Sequence, residues 1–335
     1  MNKFFCSSAC READEDIIGS GTNYSVYVLI ECPYPWKHNA FESRFLPKNL
    51  EMLMAKVKRD KLSLRFLLIT QNQNYRQNNR KILIYEKNKS SFINSYKKYE
   101  FDVDHPEKIA PIIQKYLAGD NLDTNTQNPQ IRDLLVCTHG SHDKCCAKYG
   151  NPFYAEAKKT ISELGLKNTR IWKTSHFGGH RFAPTMISFP DGRYYGLLNR
   201  ESFQTILLQA GNIKLLSKVY RGWSILPTSI QVLERELIFR HGWEWFEYKI
   251  NLLHLDINFD KTLVQTQLAV LKPDGYQYIC QAKLVKDESK TIYIKGSCDA
   301  SHESEFIKYA VSNLSFIIEK KTSEKVLISS HTKVS

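Results

Sequence analysis

Residues 131–164 read IRDLLVCTHGSHDKCCAKYGNPFYAEAKKTISEL, and this stretch decides the fold class. Ile131–Cys137 is a short apolar run rich in Leu and Val, which predicts a buried strand. Pro152–Leu164 has apolar residues at helical spacing, which predicts a helix. The segment that joins them, starting at Cys137, holds three cysteines and two histidines. The chain therefore runs from a buried strand through a reactive loop into a helix.

The elements that follow complete a β-α-β-β-β-α unit. Thr169–Lys173 predicts a strand that ends at SHFGGH, residues 175–180. Thr185–Phe189 and Tyr194–Leu198 predict a hairpin across Pro-Asp-Gly, and Glu201–Gln209 predicts a closing helix. This order is typical of a thioredoxin-like domain, and such α/β folds place their chemistry at the ends of central strands. We expect the Cys-rich loop and SHFGGH to meet there.

The residues before this unit predict an α/β domain with a similar order of elements. In chain order they are strand Asn23–Glu31, helix Asn49–Arg59, strands Leu62–Thr70 and Lys81–Glu86, a short strand near Ser91–Phe101, and helix His105–Leu117. Thr124–Gln130, TNTQNPQ, is polar and carries a proline, so it predicts a linker and a domain boundary. The order allows a diverged duplication, although the two segments share no residue-level repeat.

From about Pro227 the sequence predicts a third module that is mostly antiparallel β. Its elements are helix Ser229–Arg240, strands Trp245–Phe259, Leu263–Leu271, Tyr276–Leu284 and Ile292–Gly296, and a helix near Ser304–Val311. Cys280 and Cys298 occur singly in it, and we interpret them as core residues. We therefore predict an α/β protein (α+β overall) with an N-terminal α/β domain over 1–123, a thioredoxin-like domain over 124–225 and this module over 226–335.

Composition points to an ordinary globular protein with unusual cysteines. The chain has 335 residues, 42% hydrophobic and 24% charged. It has no apolar run of membrane-spanning length, and MNKFFCSSACREADEDIIGS turns acidic before a signal-peptide core could form, so we expect a cytoplasmic protein without a membrane partner. Its eight cysteines are unevenly clustered, which in a reducing compartment favours metal binding or redox chemistry over structural disulfides.

The net charge of +12 also bears on partners. Much of the excess lies in residues 73–98, which predict either a solvated basic face or a surface that docks an acidic protein. We do not expect a nucleic-acid partner, because the sequence has no RNP-type strand, helix-turn-helix or zinc-finger spacing.

Two thiols and two imidazoles form the candidate ligand set. Cys137 ends a strand, Cys146 follows in a C-x8-C spacing, and His176 and His180 end the next strand. This set suits tetrahedral Zn²⁺ or a 2Fe–2S cluster. Structural zinc sites favour shorter Cys spacings, so the pattern favours a cluster seated between two loops. A Gly-Gly pair between the histidines predicts a loop rather than a helix.

Other residues of the two loops are expected to surround the ligands. These are His139, Gly140, Asp143, Cys145, Gly178, Gly179 and Arg181. The glycines allow backbone amides to approach sulfur. His142 is interpreted as another loop residue. One alternative use of the loop is a redox thiol pair, Cys145 and Cys146, although adjacent cysteines close only a strained disulfide ring.

The two motifs resemble a known family. CTHGSHDKCC followed by SHFGGHRFAPT is similar to the sucrase/ferredoxin-like family, whose C-terminal part is a thioredoxin-like 2Fe–2S ferredoxin domain. Members carry a pattern close to CTHG-x-RD-x-x-CG and then H-x-GGH-K/R-FA. CSSACREADEDIIGSGTNYSVYVLIECPYPW, from residue 6, is similar to the family's opening Cys-Ser, Gly-Thr and Glu-x-Pro-x-Pro-Trp features. The resemblance covers roughly residues 5–210.

The resemblance implies a 2Fe–2S cluster ligated by Cys137, Cys146, His176 and His180, with Cys145 in a variable position. His142 stands where the family usually has Arg, Ala147 replaces Gly, and Arg181 replaces a frequent Lys; none of these departures removes a ligand. We expect an electron-transfer or redox-sensing protein with an acidic redox partner. Zinc bound by the same ligands is the alternative cofactor. The sequence shows no paired carboxylates in a motif suited to glycoside cleavage, so it gives no support to a hydrolase.

Overall fold

The computed structural model describes residues 4–71, 80–120 and 131–319. The predicted linker Thr124–Gln130 lies outside these residues, as does part of the basic segment 73–98. A short helix comes first, α1 (Cys6–Glu12). The elements of the first half of the chain are β1 (Val26–Glu31), α2 (Lys48–Arg59), β2 (Leu64–Thr70), β3 (Arg80–Lys87), β4 (Tyr96–Val103) and α3 (Ile109–Ala118).

The second half repeats this order. Its elements are β5 (Arg132–Cys137), α4 (Lys144–Glu163), β6 (Thr169–Thr174), β7 (Met186–Phe189), β8 (Arg193–Tyr195) and α5 (Arg200–Leu208). A short helix α6 (Leu216–Val219) and strand β9 (Tyr220–Trp223) follow. In each half the first strand pairs with the second in parallel and with the third antiparallel, and the fourth pairs antiparallel with the third. The predicted α/β class and the β-α-β-β-β-α order are confirmed.

The two halves share one nine-stranded sheet in the order β4-β3-β1-β2-β6-β5-β7-β8-β9. They join where β2 pairs antiparallel with β6, with Ile69 opposite Thr174 and Thr70 opposite Lys173. Only the carboxyl ends of these two strands overlap. Because β5 is parallel to β6, its carboxyl end at Cys137 lies beside Thr174 at the same place. The sheet therefore brings the predicted reactive loops to the junction of the halves.

A buried ion network also links the two halves, at the amino-terminal ends of β5 and β6. The carboxylate of Asp133 on β5 is fully buried and accepts hydrogen bonds from Tyr85 and Lys98 of the first half. It also pairs with Arg170 at 2.7 Å and accepts from Trp172 Nε1 at 2.8 Å. A buried carboxylate is stable only when charged and polar partners surround it, and here both halves provide them.

The start of α4 differs from the prediction. We expected a helix from Pro152, but α4 begins at Lys144 and contains Pro152. The Asp143 side chain accepts a hydrogen bond from Cys145 N at 2.8 Å and so caps the helix. As a consequence Cys145 and Cys146 lie on the first helical turn rather than in a loop.

The remaining elements are α7 (Ile230–His241) and an antiparallel β region. Strands β10 (Lys249–Ile257), β11 (Leu263–Leu271), β12 (Gln277–Lys286) and β15 (Tyr309–Glu319) form a four-stranded sheet, while β13 (Ile292–Ile294) pairs with β14 (Ser304–Phe306). The helix predicted near Ser304–Val311 is wrong. β14 and the start of β15 occupy it, because pairing with β13 and β12 satisfies their backbone groups.

Among the residues that the structure describes, no helix is both long enough and apolar enough to cross a membrane. The compartment expected from the sequence stays a prediction.

Candidate metal centre

Close packing of α4 on β5 brings the first two predicted ligands together. Cys137 ends β5, and Cys146 lies on the first turn of α4; both side chains are buried. Gly150, on the next turn, contacts the Cys137 carbonyl so closely that a Cβ atom there would collide with the carbonyl oxygen. Glycine is therefore required for α4 to approach the end of β5, a constraint that its place within a helix did not signal.

His176 completes the first ligand group. Its Nδ1 lies 3.9 Å from Cys137 Sγ and 3.8 Å from Cys146 Sγ. The three ligand atoms lie within 4.8 Å of one another. Burial lowers the pKa of His176 to about 2, so its imidazole is neutral near pH 7 and has a lone pair to offer a metal.

The backbone of His176 is fixed from two sides. Arg65, on β2, donates from Nη2 to the His176 carbonyl at 3.1 Å. The His176 amide donates to Nδ1 of His139 at 3.2 Å, and His139 Nε2 donates in turn to the Lys37 carbonyl at 2.7 Å. Both ring nitrogens of His139 are therefore occupied. His139 positions His176 and the loop after β1, and it has no nitrogen left for a metal.

His180 lies beside His176, with ring centroids 4.8 Å apart. Its Nε2 is 2.8 Å from the Gly296 carbonyl, which can only accept, so Nε2 carries the proton of the neutral ring. Nδ1 is buried and has no hydrogen-bond partner among the described residues, although the Asp143 carboxylate lies 3.5 Å away. Burial lowers the pKa of His180 and so favours this neutral form. The structure thus aims an unprotonated nitrogen at the site.

A third imidazole joins the two predicted ones. His142 stacks on His176 with ring centroids 4.1 Å apart. Ring nitrogens of His142, His176 and His180 lie within 4.8 Å of one another. The four predicted ligands are therefore gathered as two overlapping groups that share His176. Both groups could hold a metal ion.

Comparison with known proteins identifies the family. Residues 17–222 match the sucrase/ferredoxin-like family. The chain belongs to that family. A 97-residue stretch is 31% identical to altered inheritance of mitochondria protein 32 of Debaryomyces hansenii, and it covers 27% of this chain and 34% of that protein. The similarity therefore spans about a third of the relative's length. No solved structure matches the chain.

The packing around Ala147, one departure from the family pattern, is clear in the structure. The Ala147 methyl group packs directly against Gly140, so closely that a Cβ atom on Gly140 would collide with it.

Gly178 and Gly179 both have left-handed backbones, with φ of 102° and 78°. The Gly-Gly pair of the sucrase/ferredoxin-like motif thus makes a turn that other residues rarely adopt.

A buried arginine lies beneath this turn. A Cβ atom on Gly179 would collide with the guanidinium group of Arg221. Arg221 donates from Nη1 to the Gly178 carbonyl at 3.1 Å and from Nη2 to the Ser20 carbonyl at 2.7 Å. Burial lowers the pKa of Arg221 to about 10, which leaves it charged at neutral pH. Nothing in the local sequence marks Arg221, because its role depends on β9 passing under the turn.

Arg181 connects distant parts of the chain. It makes two hydrogen bonds to the buried Glu15 carboxylate at 2.9 and 3.0 Å, and Lys308 pairs with the same carboxylate at 2.8 Å. Burial alone would raise the pKa of Glu15, but the hydrogen bonds and charges of Arg181 and Lys308 lower it. Through Glu15, Arg181 therefore connects the segment before β1 and Lys308, which precedes β15, to the SHFGGH turn.

A second cluster of thiols lies on the other side of Asp143, and we call it the three-thiol group. It consists of Cys6, Cys145 and Cys298, with the Asp143 carboxylate, and its ligand atoms lie within 4.8 Å of one another. Cys280 is buried in the main core, as predicted. Cys298 is only half-buried and contacts Cys145, so its interpretation as an ordinary core residue is wrong.

Proposed function

We propose that this chain is a 2Fe–2S cluster-binding redox protein, with Cys137, Cys146, His176 and His180 as its ligands. One observation carries the proposal: two thiols and two neutral imidazoles converge from two strand ends and one helical turn. A cluster of this kind supplies one-electron transfer when bound. The role of the chain is then electron transfer or redox sensing.

The donor atoms fit such a group. The Cys146 thiol has its pKa raised by its hydrogen bond to Cys137 and by burial, so a metal must displace its proton to bind. Each imidazole is neutral, and the Gly296 carbonyl selects the tautomer that leaves His180 Nδ1 unprotonated. Cys145 and Cys146, the alternative thiol pair, are adjacent in sequence but belong to different groups. That separation argues against a redox disulfide between them.

Positive charge near the site favours the reduced state of a cluster, which carries one more negative charge than the oxidised state. Arg221 lies under the Gly178–Gly179 turn, and Arg65 holds the His176 carbonyl. Both favour negative charge on neighbouring groups, and net charge around a cluster helps to set its potential.

A groove beside the imidazoles suits an acidic redox partner. It has a volume of about 800 Å³ and is lined by Lys58, Lys61 and Arg65 together with His142 and His176. Lys81 and Lys98, two lysines of the basic segment 73–98, pair with acidic residues of this chain and are less available to bind an acidic partner. Complementary charge at the groove would steer an acidic protein to the histidine side of the site.

Metal analysis with optical and EPR spectra tests the proposal. Anaerobically prepared protein should contain iron and absorb in the visible range, and its reduced form should give an EPR signal. Cys146→Ser should lose the iron and the colour. Cys145→Ser is the matched control, one residue away on the same helical turn, and should keep both. If the wild-type protein is colourless and contains zinc that Cys146→Ser loses, the four ligands bind zinc and not a 2Fe–2S cluster.

The pH dependence of the midpoint potential tests the histidine ligands. An added electron makes a ligating imidazole more basic, so the potential should fall as pH rises near neutrality. A potential that is flat from about pH 6 to about pH 9 would contradict histidine ligation.

A further inference from the structure

Three parts of the chain that are far apart in sequence bring thiols to one point. Cys6 comes from α1, Cys145 from the first turn of α4, and Cys298 from the loop between β13 and β14. The Sγ atoms of Cys6 and Cys145 are 3.5 Å apart, those of Cys145 and Cys298 are 3.3 Å apart, and those of Cys298 and Cys6 are 3.7 Å apart. All three cysteines are free.

These separations suit shared coordination. Two thiolates on one tetrahedral Zn²⁺, each about 2.3 Å from the metal, lie roughly 3.8 Å apart. A disulfide requires a bond of about 2.05 Å, and pairing any two of three cysteines leaves the third unpaired. The nearly equal sides of the sulfur triangle therefore favour one central ion over a selected pair.

Asp143 supplies a fourth donor. Its Oδ1 lies 3.2 Å from Cys298 Sγ and accepts from Cys145 N at 2.8 Å. Its Oδ2 accepts from Cys298 N at 3.0 Å. The carboxylate is thus held by backbone amides of two of the three segments that carry the thiols. A carboxylate fixed in this way is preorganised beside the sulfurs.

The surroundings favour thiolate at Cys145 in particular. The Ser7 amide donates to Cys145 Sγ at 3.4 Å. Cys145 also lies near the amino terminus of the twenty-residue helix α4, where the helix dipole stabilises negative charge.

We propose that Cys6, Cys145, Cys298 and Asp143 form a second metal site, which takes Zn²⁺ as a structural ion. The site is separate from the proposed 2Fe–2S ligands and goes beyond that function. On binding, each thiol that is still protonated gives its proton to solvent, and no redox change occurs. The ion would fasten α1 and the β13–β14 loop to the start of α4, beside the Gly296 carbonyl that orients His180.

Zinc content of the full-length protein tests this site. We expect wild-type protein prepared in the presence of zinc and iron to hold one zinc per chain in addition to any iron. Cys298→Ser should lose this zinc and keep the visible spectrum. Cys280→Ser is the matched control, because that cysteine is buried in β12, outside the group, and its zinc content should equal that of the wild type.

Cobalt substitution avoids dependence on a variant that could misfold. After a chelator removes zinc from the wild type, added Co²⁺ should give the strong absorption of thiolate-to-cobalt charge transfer, and zinc should abolish it. A wild type without zinc and without this absorption would overturn the site. So would a disulfide among the three cysteines, or zinc retained in Cys298→Ser.

The two proposals fail separately. A wild-type protein that is colourless, but whose zinc is lost in Cys298→Ser, would count against the cluster and leave the three-thiol site intact. Zinc that is lost in Cys146→Ser but kept in Cys298→Ser would place the ion among the other ligands and overturn the three-thiol site.

Discussion

The two halves of the large sheet have the same order and pairing of elements, but in the part of the chain that the structure describes only the second half gathers a group of side chains that could hold a metal ion. In the first half, β1 leads into residues 32–47 before α2 begins, and Cys32 after β1 is buried against that half's own core. In the second half, α4 begins soon after β5 and places Cys146 beside Cys137. The shared topology therefore does not create the site. The short strand-to-helix connection and the residues in it do.

The first half has a different task at the same place. Its loop after β1 forms one wall of the site, with the Trp36 carbonyl accepting from Ser141 Oγ at 2.7 Å and the Lys37 carbonyl accepting from His139. His38 Nδ1 lies 2.9 Å from the Ser141 carbonyl. These contacts position the Cys-rich loop without supplying a sulfur. One half holds the predicted ligands, and the other supports the loop that carries Cys146.

The close approach of α4 to β5 gives the largest expected effect. Gly150→Val would push a branched side chain into the Cys137 carbonyl and should lower the free energy of unfolding by about 4 kcal/mol or more, since neither backbone can yield easily. Denaturant titration with metal analysis measures this. Gly165→Ala, after the same helix, has open space around its Cβ position and should cost only about 1 kcal/mol, from its left-handed backbone.

Equal losses in these two variants would contradict the claim that packing at Gly150 distinguishes the second half. The first half has no such requirement in α2, whose inner face carries Leu50, Leu53 and Val57.

The ion network between the halves gives the next largest effect. Asp133→Asn would leave Lys98 and Arg170 with one carboxylate, Glu100, and should lower the free energy of unfolding by about 3 kcal/mol. Burial alone would raise the pKa of Asp133, but the hydrogen bonds and charges of Arg170 and Lys98 lower it. The unfolded chain then binds the proton more tightly.

Asp133 therefore stabilises the protein fully above the unfolded pKa of about 3.9, and this contribution is lost as pH falls through the lower folded pKa. Unfolding measured as a function of pH should show that acid-dependent slope in the wild type and a shallower one in Asp133→Asn. The exposed pair of Asp104 and Lys108 offers a control, because Asp104→Asn should leave the unfolding midpoint unchanged. A wild-type slope retained in Asp133→Asn would contradict this assignment.

Sequence patterns predicted the strands around the site well, because periodic burial is a local property. β5 and β6 lie within one residue of their predicted ends. The start of α4 could not be predicted in this way, since Pro152 interrupts the helical pattern and the first turn, Lys-Cys-Cys-Ala, looks like part of a Cys-rich loop. The helix expected near Ser304–Val311 failed because pairing with distant strands decided its conformation.

Contacts between remote residues were beyond the sequence for a different reason. Cys6 and Cys298 are 292 positions apart, and neither lies in a motif with the other. The same is true of Arg221 under the Gly178–Gly179 turn and of the Gly296 carbonyl beside His180. Spacing within one loop predicts which residues could bind a metal. Only the path of the whole chain determines what surrounds them.

The wall provided by the first half gives the smallest expected effect. Ser141→Ala would leave the Trp36 carbonyl without its 2.7 Å donor and should lower the free energy of unfolding by about 1 kcal/mol, because Ser141 is near solvent and water can replace part of the bond. Iron and zinc content should not change. If Ser141→Ala instead lost metal with little loss of stability, the first half would take part in binding, and the division of tasks between the halves would be wrong. We expect the metal content to stay unchanged because His139 keeps both of its hydrogen bonds in this variant. His139 therefore continues to hold the His176 backbone in place.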